Sequence, residues 1–357
     1  MNASCVECLS FQSREGYQTI GRLHSTSGGA STTSRRARGT RHISRLRTLI
    51  RMPTRWREAW NDALYGPTGF FLHSRPTDHF RTSVTSSEVF AMAVARMARE
   101  AGLDTVVDVG AGGGELLTRL HGIDPALRLT GVELAPRPDL PGDVDWTDEL
   151  PATIDGLLIA HEWLDNIPCD VVEVDDAGVV RLVEVDPDTG AERLGEPVES
   201  AWLDRWWPLT EPGTRAEIGE PRDDAWADAV GRVHGIALAV DYGHTVDARP
   251  PFGSLTSFAH GQEVDVVPDG SRDVTAHVAV DSVAARTGAS LHHQRDALAR
   301  LGVDGTRPPL DLATTDPQAY VTALARASES AELRARGGWG DFWWLATDTR
   351  ATDGMEH

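Results

Sequence analysis

Short apolar runs separated by turn residues dominate the middle of the chain. Runs of about four to eight residues that are rich in Val, Leu and Ile are typical of strands buried in a parallel sheet. One weaker run at 144–146 and four clear runs predict such strands, the clear ones being 105–109, 127–133, 154–160 and 236–241.

The segments between these runs have the apolar spacing of amphipathic helices. Thr85 and Glu88 form a capping-box pattern, an apolar stripe over 89–97 follows, and Gly102 ends it. Further helices are predicted over 115–121, 273–288 and 316–336, and a strand that leads into a short helix over 290–301. This alternation predicts an α/β fold with a Rossmann-like, doubly wound sheet.

The α/β rhythm breaks between the strands at 154–160 and 236–241. Two Val-rich runs at 171–174 and 179–185 flank the turn sequence Asp-Asp-Ala-Gly, which is a hairpin signal. We interpret residues 169–215 as a β-rich insertion. A closing strand is predicted at 341–346.

The first 51 residues differ from the rest in charge and pattern. Residues 1–57 contain eleven Arg and two acidic residues, and 25–51 are rich in Ser, Thr, Gly and Arg without apolar spacing, which predicts disorder. Three origins are open: a basic arm, a mitochondrial-type targeting peptide, and translated upstream sequence before a start at Met52. We expect a tail over 1–51 and one domain over 52–350.

Charge and cysteine content exclude several classes of protein. The formal net charge of −20 disfavours nonspecific binding to nucleic acid or to an acidic membrane surface, and it is compatible with a basic protein partner. The chain has no apolar run of about 18 residues and no apolar signal region after Met1, so we expect a cytoplasmic protein. Cys5 and Cys8 form a single C-x-x-C without the second pair that a zinc site needs, so no metal is expected.

The strongest local motif is the glycine-rich turn that follows the first strand. Its glycines, Gly110, Gly112 and Gly114, let the backbone approach a ligand where a side chain would clash, and the next helix directs its N–H groups at that ligand. Dinucleotide binders place a third glycine where Glu115 stands here. The G-x-G-x-G spacing suits S-adenosylmethionine (SAM), and a turn without a ligand is the alternative.

Acidic residues follow the next two strands. Glu133 ends the second strand, where a carboxylate can accept both ribose hydroxyls of an adenosine cofactor. Asp148, close to the end of the weaker strand, is a candidate for a contact with the adenine. NAD enzymes place an acid similarly, and a solvated Glu133 at a strand end is the structural alternative.

The strand at 154–160 leads directly into a polar segment. Glu162 and Asp165 lie where a methyl acceptor would approach, because ligands of open α/β sheets bind beyond the carboxyl ends of the strands. Paired carboxylates suit a guanidinium, which keeps its proton up to a very high pH. The alternative is that either acid caps a helix. His161, His260 and His277 are further candidates, for which packing or surface roles compete.

These motifs, in this order, resemble the MidA-like family of class I SAM-dependent methyltransferases. The family includes the mitochondrial complex I assembly methyltransferase, which acts on an arginine of a respiratory subunit. The resemblance spans about Trp56 to Ala346, and the family patterns fall on 65–71 (Y-x-P-x-x-G-Y-Y), 80–90 (D-F-x-T-A-P-E-I-S-x-x-F), 108–114 (E-x-G-A-G-x-G), 161–168 (N-E-F-F-D-A-L-P), 241–243 (D-Y-G) and 273–278 (D-L-T-A-H-V).

The resemblance implies SAM as cofactor, a protein acceptor that is modified on arginine, and site roles for particular residues. Together with the strand-end positions described above, it makes Glu162 and Asp165 the candidate catalytic residues, and Asp108, Gly110, Gly112, Gly114, Glu133 and Asp148 the candidate cofactor-binding residues. Three positions depart from the family: Asp108 and Thr85 each replace a Glu, and His161 replaces an Asn. These departures keep open an alternative, a non-catalytic SAM-binding assembly factor that acts through a protein partner. An NAD-dependent oxidoreductase is disfavoured by Glu115.

Overall fold

The computed structural model describes residues 52–73 and 87–351. The expectations for the tail and for Thr85 lie outside the described residues. The strands are β1 (Thr54–Arg55), β2 (Thr105–Val109), β3 (Arg128–Val132), β4 (Val144–Thr147), β5 (Ile154–His161), β6 (Asp170–Val174), β7 (Val180–Val185), β8 (Glu192–Pro197), β9 (Arg215–Ile218), β10 (Val233–Asp241), β11 (Gly243–His244), β12 (Thr256–Ala259), β13 (Gln262–Glu263), β14 (Asp273–Thr275), β15 (Val278–Ala279), β16 (Ser290–His293) and β17 (Trp343–Asp348).

Helices connect and cover these strands. They are α1 (Trp56–Tyr65), α2 (Phe70–His73), α3 (Glu88–Glu100), α4 (Glu115–Ile123), α5 (Ala201–Trp206), α6 (Glu220–Val230), α7 (Val280–Thr287), α8 (Gln294–Arg300), α9 (Leu312–Thr315) and α10 (Pro317–Leu333). Within the described ranges, none of them is long and apolar enough to cross a membrane.

Seven strands of the described segments form the central sheet in the order β16-β17-β10-β5-β2-β3-β4. Strands β10, β5, β2, β3 and β4 are parallel, whereas β17 runs antiparallel to both of its neighbours. The chain leaves β2 towards β3 and later returns to β5 on the other side, so the order reverses between β2 and β5. Ligands of such sheets bind in the crevice at this reversal. The predicted doubly wound α/β fold is confirmed.

Alternate strand residues pack on opposite faces because side chains in a strand alternate in direction. On one face, Val106, Leu157 and Leu238 join a core with residues of α3, α4 and α8. On the other face, Val107 and Leu158 join a second core with residues of α6 and α7. This double coverage explains why the strands read as continuous apolar runs.

The insertion forms a second sheet, in which β1, β7, β6 and β9 are neighbours and β8 pairs with β7. The hairpin of β6 and β7 agrees with the prediction, and the strands of the insertion reach Ile218 rather than stopping near 215. Helix α1 covers this sheet through Trp56 and Trp60, both fully buried. The second sheet therefore depends on residues that precede the central sheet in the chain.

One local prediction is wrong. Residues 273–288 are not one helix: β14 pairs antiparallel with β12, β15 pairs with β11, and only Val280–Thr287 is helical. Strands β14 and β15 pair with β12 and β11, which precede them in the chain, and the apolar spacing within 273–288 does not indicate these pairings. Helix α3 is capped by Ser87, whose hydroxyl accepts the N–H of Phe90 at 3.0 Å.

Candidate active site

The glycine loop lies at the carboxyl end of β2, where Gly110, Gly112 and Gly114 have φ values of 71°, 55° and 73°. L-residues rarely adopt such values, so glycine is the natural residue there. A Cβ on Gly110 would lie 2.8 Å from the Trp163 ring, whereas a Cβ on Gly112 would have nothing within 4 Å. The loop is therefore packed at Gly110 and open at Gly112.

Glu133, directly after β3, joins this loop to its own strand end. Its Oε2 accepts the N–H of Gly112 at 3.0 Å, and its Oε1 accepts the N–H of Ala135 at 3.2 Å. Burial raises the pKa of this half-buried carboxyl, and the backbone N–H groups oppose that rise. The structure thus brings Glu133 onto the glycine loop, as expected of a residue that faces the ribose.

Asp108 and Asp148 have different surroundings. Asp108 is buried in β2, and desolvation together with the nearby Glu115 and Glu133 raises its pKa to about 8. Asp148 follows β4 and is exposed, and no hydrogen bond joins its carboxylate to the glycine loop within the described segments. Its contact with an adenine remains a prediction.

Glu162 follows β5 with an unusual backbone. Its φ of 51° is in the left-handed region, which is costly for a residue with a side chain and is concentrated at functional sites. Its side chain is 25% exposed, and Oε1 lies 3.3 Å from Nδ1 of the buried His161. Burial, with the charges of Asp165 and Asp273, raises the pKa of Glu162 to about 8.

Asp165 has one bonded and one unbonded carboxylate oxygen. Its Oδ2 accepts hydrogen bonds from the Tyr242 hydroxyl and, at 2.7 Å, from the Thr275 hydroxyl. Its Oδ1 is buried, and no described residue donates a hydrogen bond to it. Burial raises the pKa of Asp165, while these two hydroxyls oppose the rise. One acceptor atom of a buried acid is thus left for a further donor.

Asp241, the last residue of β10, holds the segment that carries Glu162 and Asp165. Its Oδ2 accepts the backbone N–H groups of Leu164 at 3.0 Å and Asp165 at 3.3 Å. Burial and the nearby carboxylates raise its pKa well above the usual range. The end of β10 therefore fixes the segment that follows β5.

The segment that follows β5 also contacts the stretch around β14. The side-chain amide of Asn166 donates to Oδ1 of Asp273 at 2.9 Å, and the Tyr65 hydroxyl donates to the backbone carbonyl of Asn166 at 3.2 Å. Motifs at 65–71, 161–168, 241–243 and 273–278 consequently meet at one edge of the sheet. Sequence order alone does not show this convergence.

The two remaining histidine candidates differ in position. The ring of His277 packs edge-on against Tyr242 with 5.1 Å between centroids, beside the Asp165 network. His260 lies in the turn between β12 and β13 and is exposed. Only His277 therefore borders the group of acidic residues.

Sequence reasoning missed several residues of the site. Tyr242 and Thr275 belong to quoted motifs, but their bonds to Asp165 depend on tertiary pairing. Trp163, which packs on Gly110, reads as a core aromatic. Arg222 belongs to no motif, yet it is 1% exposed and donates a hydrogen bond to the backbone of the segment after β5.

Known proteins share this fold and sequence pattern. The sequence profile of a family described as "Putative S-adenosyl-L-methionine-dependent methyltransferase" matches residues 123–295, which include Glu133, Glu162 and Asp165. No curated protein matches the chain.

Two crystal structures from Burkholderia thailandensis are similar to the chain, each with 23% identity over 82% of this chain and 87% of the other. One, described as a "likely methyl transferase" bound to S-adenosyl-homocysteine, has a TM-score of 0.66. The other is the native structure of an "uncharacterized" protein of the same superfamily, with a TM-score of 0.67. At 23% sequence identity, the similarity to these two structures shows that the chain has the same fold.

The strand order, with its antiparallel β17, and the glycine loop at the sheet reversal define a class I SAM-dependent methyltransferase. The profile match over residues 123–295 agrees with the resemblance to MidA-like proteins, and the chain is a SAM-dependent methyltransferase.

The residues at the crevice fit SAM. The open side of Gly112 leaves room beside the loop backbone, and the Glu133 carboxylate is hydrogen-bonded to that same glycine. The glycine loop and Glu133 would hold the adenosine part of the cofactor. Each of these contacts remains a prediction.

Proposed function

We propose that this methyltransferase modifies the guanidinium of an arginine in a protein acceptor. The observation that carries the proposal is the buried, unbonded Oδ1 of Asp165, three residues after Glu162. A buried acceptor atom without a donor costs free energy, and a bound N–H donor recovers it.

The chemistry of the two acids favours a cation as the donor. Carboxyl groups that share a desolvated region resist ionisation together, because each negative charge destabilises the next. Burial raises the pKa of both Glu162 and Asp165, and for Glu162 the charges of Asp165 and Asp273 add to the rise. A guanidinium relieves the repulsion, and its planar N–H groups can bind both acids at once.

The overall charge supports a protein acceptor with basic residues. After residue 57, the chain has 23 Arg and 52 acidic residues. An electronegative surface attracts cationic partners and speeds their encounter. A basic segment around the target arginine would therefore be recognised before the arginine enters the crevice.

When bound, SAM supplies an electrophilic methyl group and leaves as S-adenosylhomocysteine. Glu162 and Asp165 would hold the guanidinium and align its attacking nitrogen, so that much of the rate comes from orientation. The nitrogen that gains the methyl loses one proton, which the ionised Glu162 carboxylate would accept. The pKa of Glu162, about 8 without a bound cation, would fall when the guanidinium binds beside it, so that the carboxylate is ionised and can take up this proton.

The test is Glu162→Gln, which keeps the shape of the side chain and removes its charge. Labelled SAM and a protein extract from a strain that lacks the gene provide the assay. We expect turnover to fall by about 10² or more, typical of losing a positioned electrostatic group, with SAM affinity within a few-fold of the unaltered protein. Glu149→Gln, at an exposed position after β4, is the matched control.

The other outcomes of this assay have distinct meanings. Full activity in Glu162→Gln would refute the catalytic role of Glu162. Label found only in small molecules would refute a protein acceptor, and label on residues other than arginine would refute the guanidinium. Tight SAM binding without any labelling by the unaltered protein would favour the non-catalytic assembly factor.

A further inference from the structure

Arg222, in the first turn of α6, is a buried cation whose hydrogen bonds go to backbone carbonyls. Its guanidinium donates to the carbonyls of Asp165 at 2.7 Å, Ile167 at 3.2 Å and His277 at 2.9 Å. No carboxylate of the described residues lies within salt-bridge distance of it. The side chain thus connects the segment after β5 with the stretch between β14 and β15.

Burying such a charge is expensive unless negative charge compensates it. The compensation here is indirect, since the Arg222 charge opposes the burial-driven rise in the pKa of both Asp165 and Asp241. The ring of Trp60 covers the guanidinium at 5.6 Å. Arg222 therefore contacts the backbone of Asp165 and acts electrostatically on its carboxylate.

We propose that Arg222 is a positioning residue for the acceptor site, which holds the backbone of Asp165 in place and, through its nearby positive charge, favours the negatively charged form of the Asp165 carboxylate that would receive a cation. The proposal rests on the proposed function, since it assumes that Asp165 binds the acceptor. Arg222 itself is not assigned to the acceptor, because each of its three guanidinium nitrogens already donates to a backbone carbonyl.

The geometry separates this role from general support of the fold. Oδ2 of Asp165 is held by Tyr242 and Thr275, and the Asp165 carbonyl is held by Arg222, so the residue is fixed at both ends. Only Oδ1 stays unbonded. The titratable and charged groups around Asp165 come from five elements or their ends: Glu162 after β5, Asp241 and Tyr242 at β10, Asp273 in β14, Tyr65 in α1 and Arg222 in α6.

The test compares Arg222→Met, which removes the charge, with Arg222→Lys, which keeps the charge but not the fork of donors. Arg232→Met is the control, because Arg232 also donates to a backbone carbonyl, that of Leu150 at 3.0 Å, at the other edge of the sheet. Carbon-13 NMR of labelled aspartates between pH 5 and 9 follows ionisation directly, and the signal lost in Asp165→Asn assigns Asp165.

We expect the Asp165 titration to move to higher pH in Arg222→Met by at least half a pH unit, and to stay in place in Arg222→Lys and Arg232→Met. In the labelling assay with the extract, the acidic limb of the pH–rate profile should move with it in Arg222→Met. Arg222→Lys should lower turnover at least threefold without that movement. SAM affinity by calorimetry should be unaltered in all three.

An unmoved Asp165 titration in folded Arg222→Met would overturn the proposal, even if the melting temperature falls. If Arg222→Met does not fold, Arg222→Lys provides the test. Turnover of Arg222→Lys equal to that of the unaltered protein overturns the proposal. Lower turnover with unchanged SAM affinity supports it. Full activity of Glu162→Gln would refute the proposed function whatever the aspartate titration shows.

Discussion

The Thr275 hydroxyl donates a 2.7 Å hydrogen bond to Oδ2 of Asp165, across 110 positions of the chain. The Tyr242 hydroxyl donates to the same oxygen. These two bonds leave Oδ1 as the free acceptor of a rigidly held carboxylate. The orientation of Asp165 therefore depends on two neutral hydroxyls, each of which can be removed without changing the charge of the site.

The first prediction concerns one of these hydroxyls. Tyr242→Phe removes a hydrogen bond to a charged group, worth about 1.5–3 kcal/mol. We expect methyl transfer to fall tenfold to a hundredfold, with SAM affinity within a few-fold. Tyr320→Phe on α10, remote from the site, is the control. Equal activity of the two variants would show that Asp165 does not need this bond.

The second prediction concerns the cofactor. Glu133→Ala removes the carboxylate that accepts the N–H groups of Gly112 and Ala135 and is expected to accept the ribose hydroxyls. Losing charge-assisted bonds of roughly 1.5–3 kcal/mol should weaken SAM binding about tenfold to a hundredfold by calorimetry. Glu149→Ala should bind SAM normally. Unchanged affinity in Glu133→Ala would remove Glu133 from the site.

The third prediction separates backbone strain from ligand contact. Gly112 and Gly102 both have positive φ, and a Cβ on either would have nothing within 4 Å. Gly112→Ala and Gly102→Ala should therefore cost similar stability, about 1–2 kcal/mol. Only Gly112→Ala, beside Glu133, should weaken SAM binding, by about tenfold or more. Similar SAM affinities in the two variants would place the cofactor away from Gly112.

The fourth prediction concerns stability and pH. The pKa of Asp108 is about 8 in the folded protein and 3.8 ordinarily, so between these values the unfolded chain has lost a proton that the folded protein keeps. Stability must then fall as pH rises through this window. The melting temperature should drop between pH 5.5 and 8.5, and Asp108→Asn should reduce the drop.

Asp148→Asn, at an exposed position, is the control for that experiment and should leave the dependence of melting temperature on pH unchanged. Glu162 and Asp273, with pKa values of about 8 as well, keep part of the pH dependence in Asp108→Asn. A slope in Asp108→Asn equal to that of the unaltered protein would contradict the assignment of a buried, protonated Asp108.

The parallel strands were predictable because a strand that is buried on both faces has a continuous run of apolar residues. Strand β2 begins and ends at the predicted residues, and β16 with α8 follows the prediction for 290–301. The helix predicted over 273–288 was wrong because β14 is a strand that pairs with β12. The residues between β12 and β14 have no apolar periodicity that would predict this pairing.

The positions of candidate site residues were predictable where a single strand end supplies the residue. Glu133 and Glu162 follow from the rule that ligands bind beyond the carboxyl ends of strands. The partners of Asp165 come from three other segments, so neighbouring residues could not reveal them. Arg222 is the clearest example of a residue that the sequence could not reveal. It binds backbone carbonyls, and the side chains around those carbonyls do not indicate that a cation is bound there.

The position of β17 has a consequence for biosynthesis. This strand, which ends at Asp348, lies between β10 and β16 in the sheet. On a ribosome, β10 and β16 emerge before the strand that separates them, so the apolar edge of β10 stays open until almost the whole domain has been translated. Chains that stop before about residue 343 would expose that edge to other chains, so we expect nascent or truncated forms to need chaperone protection.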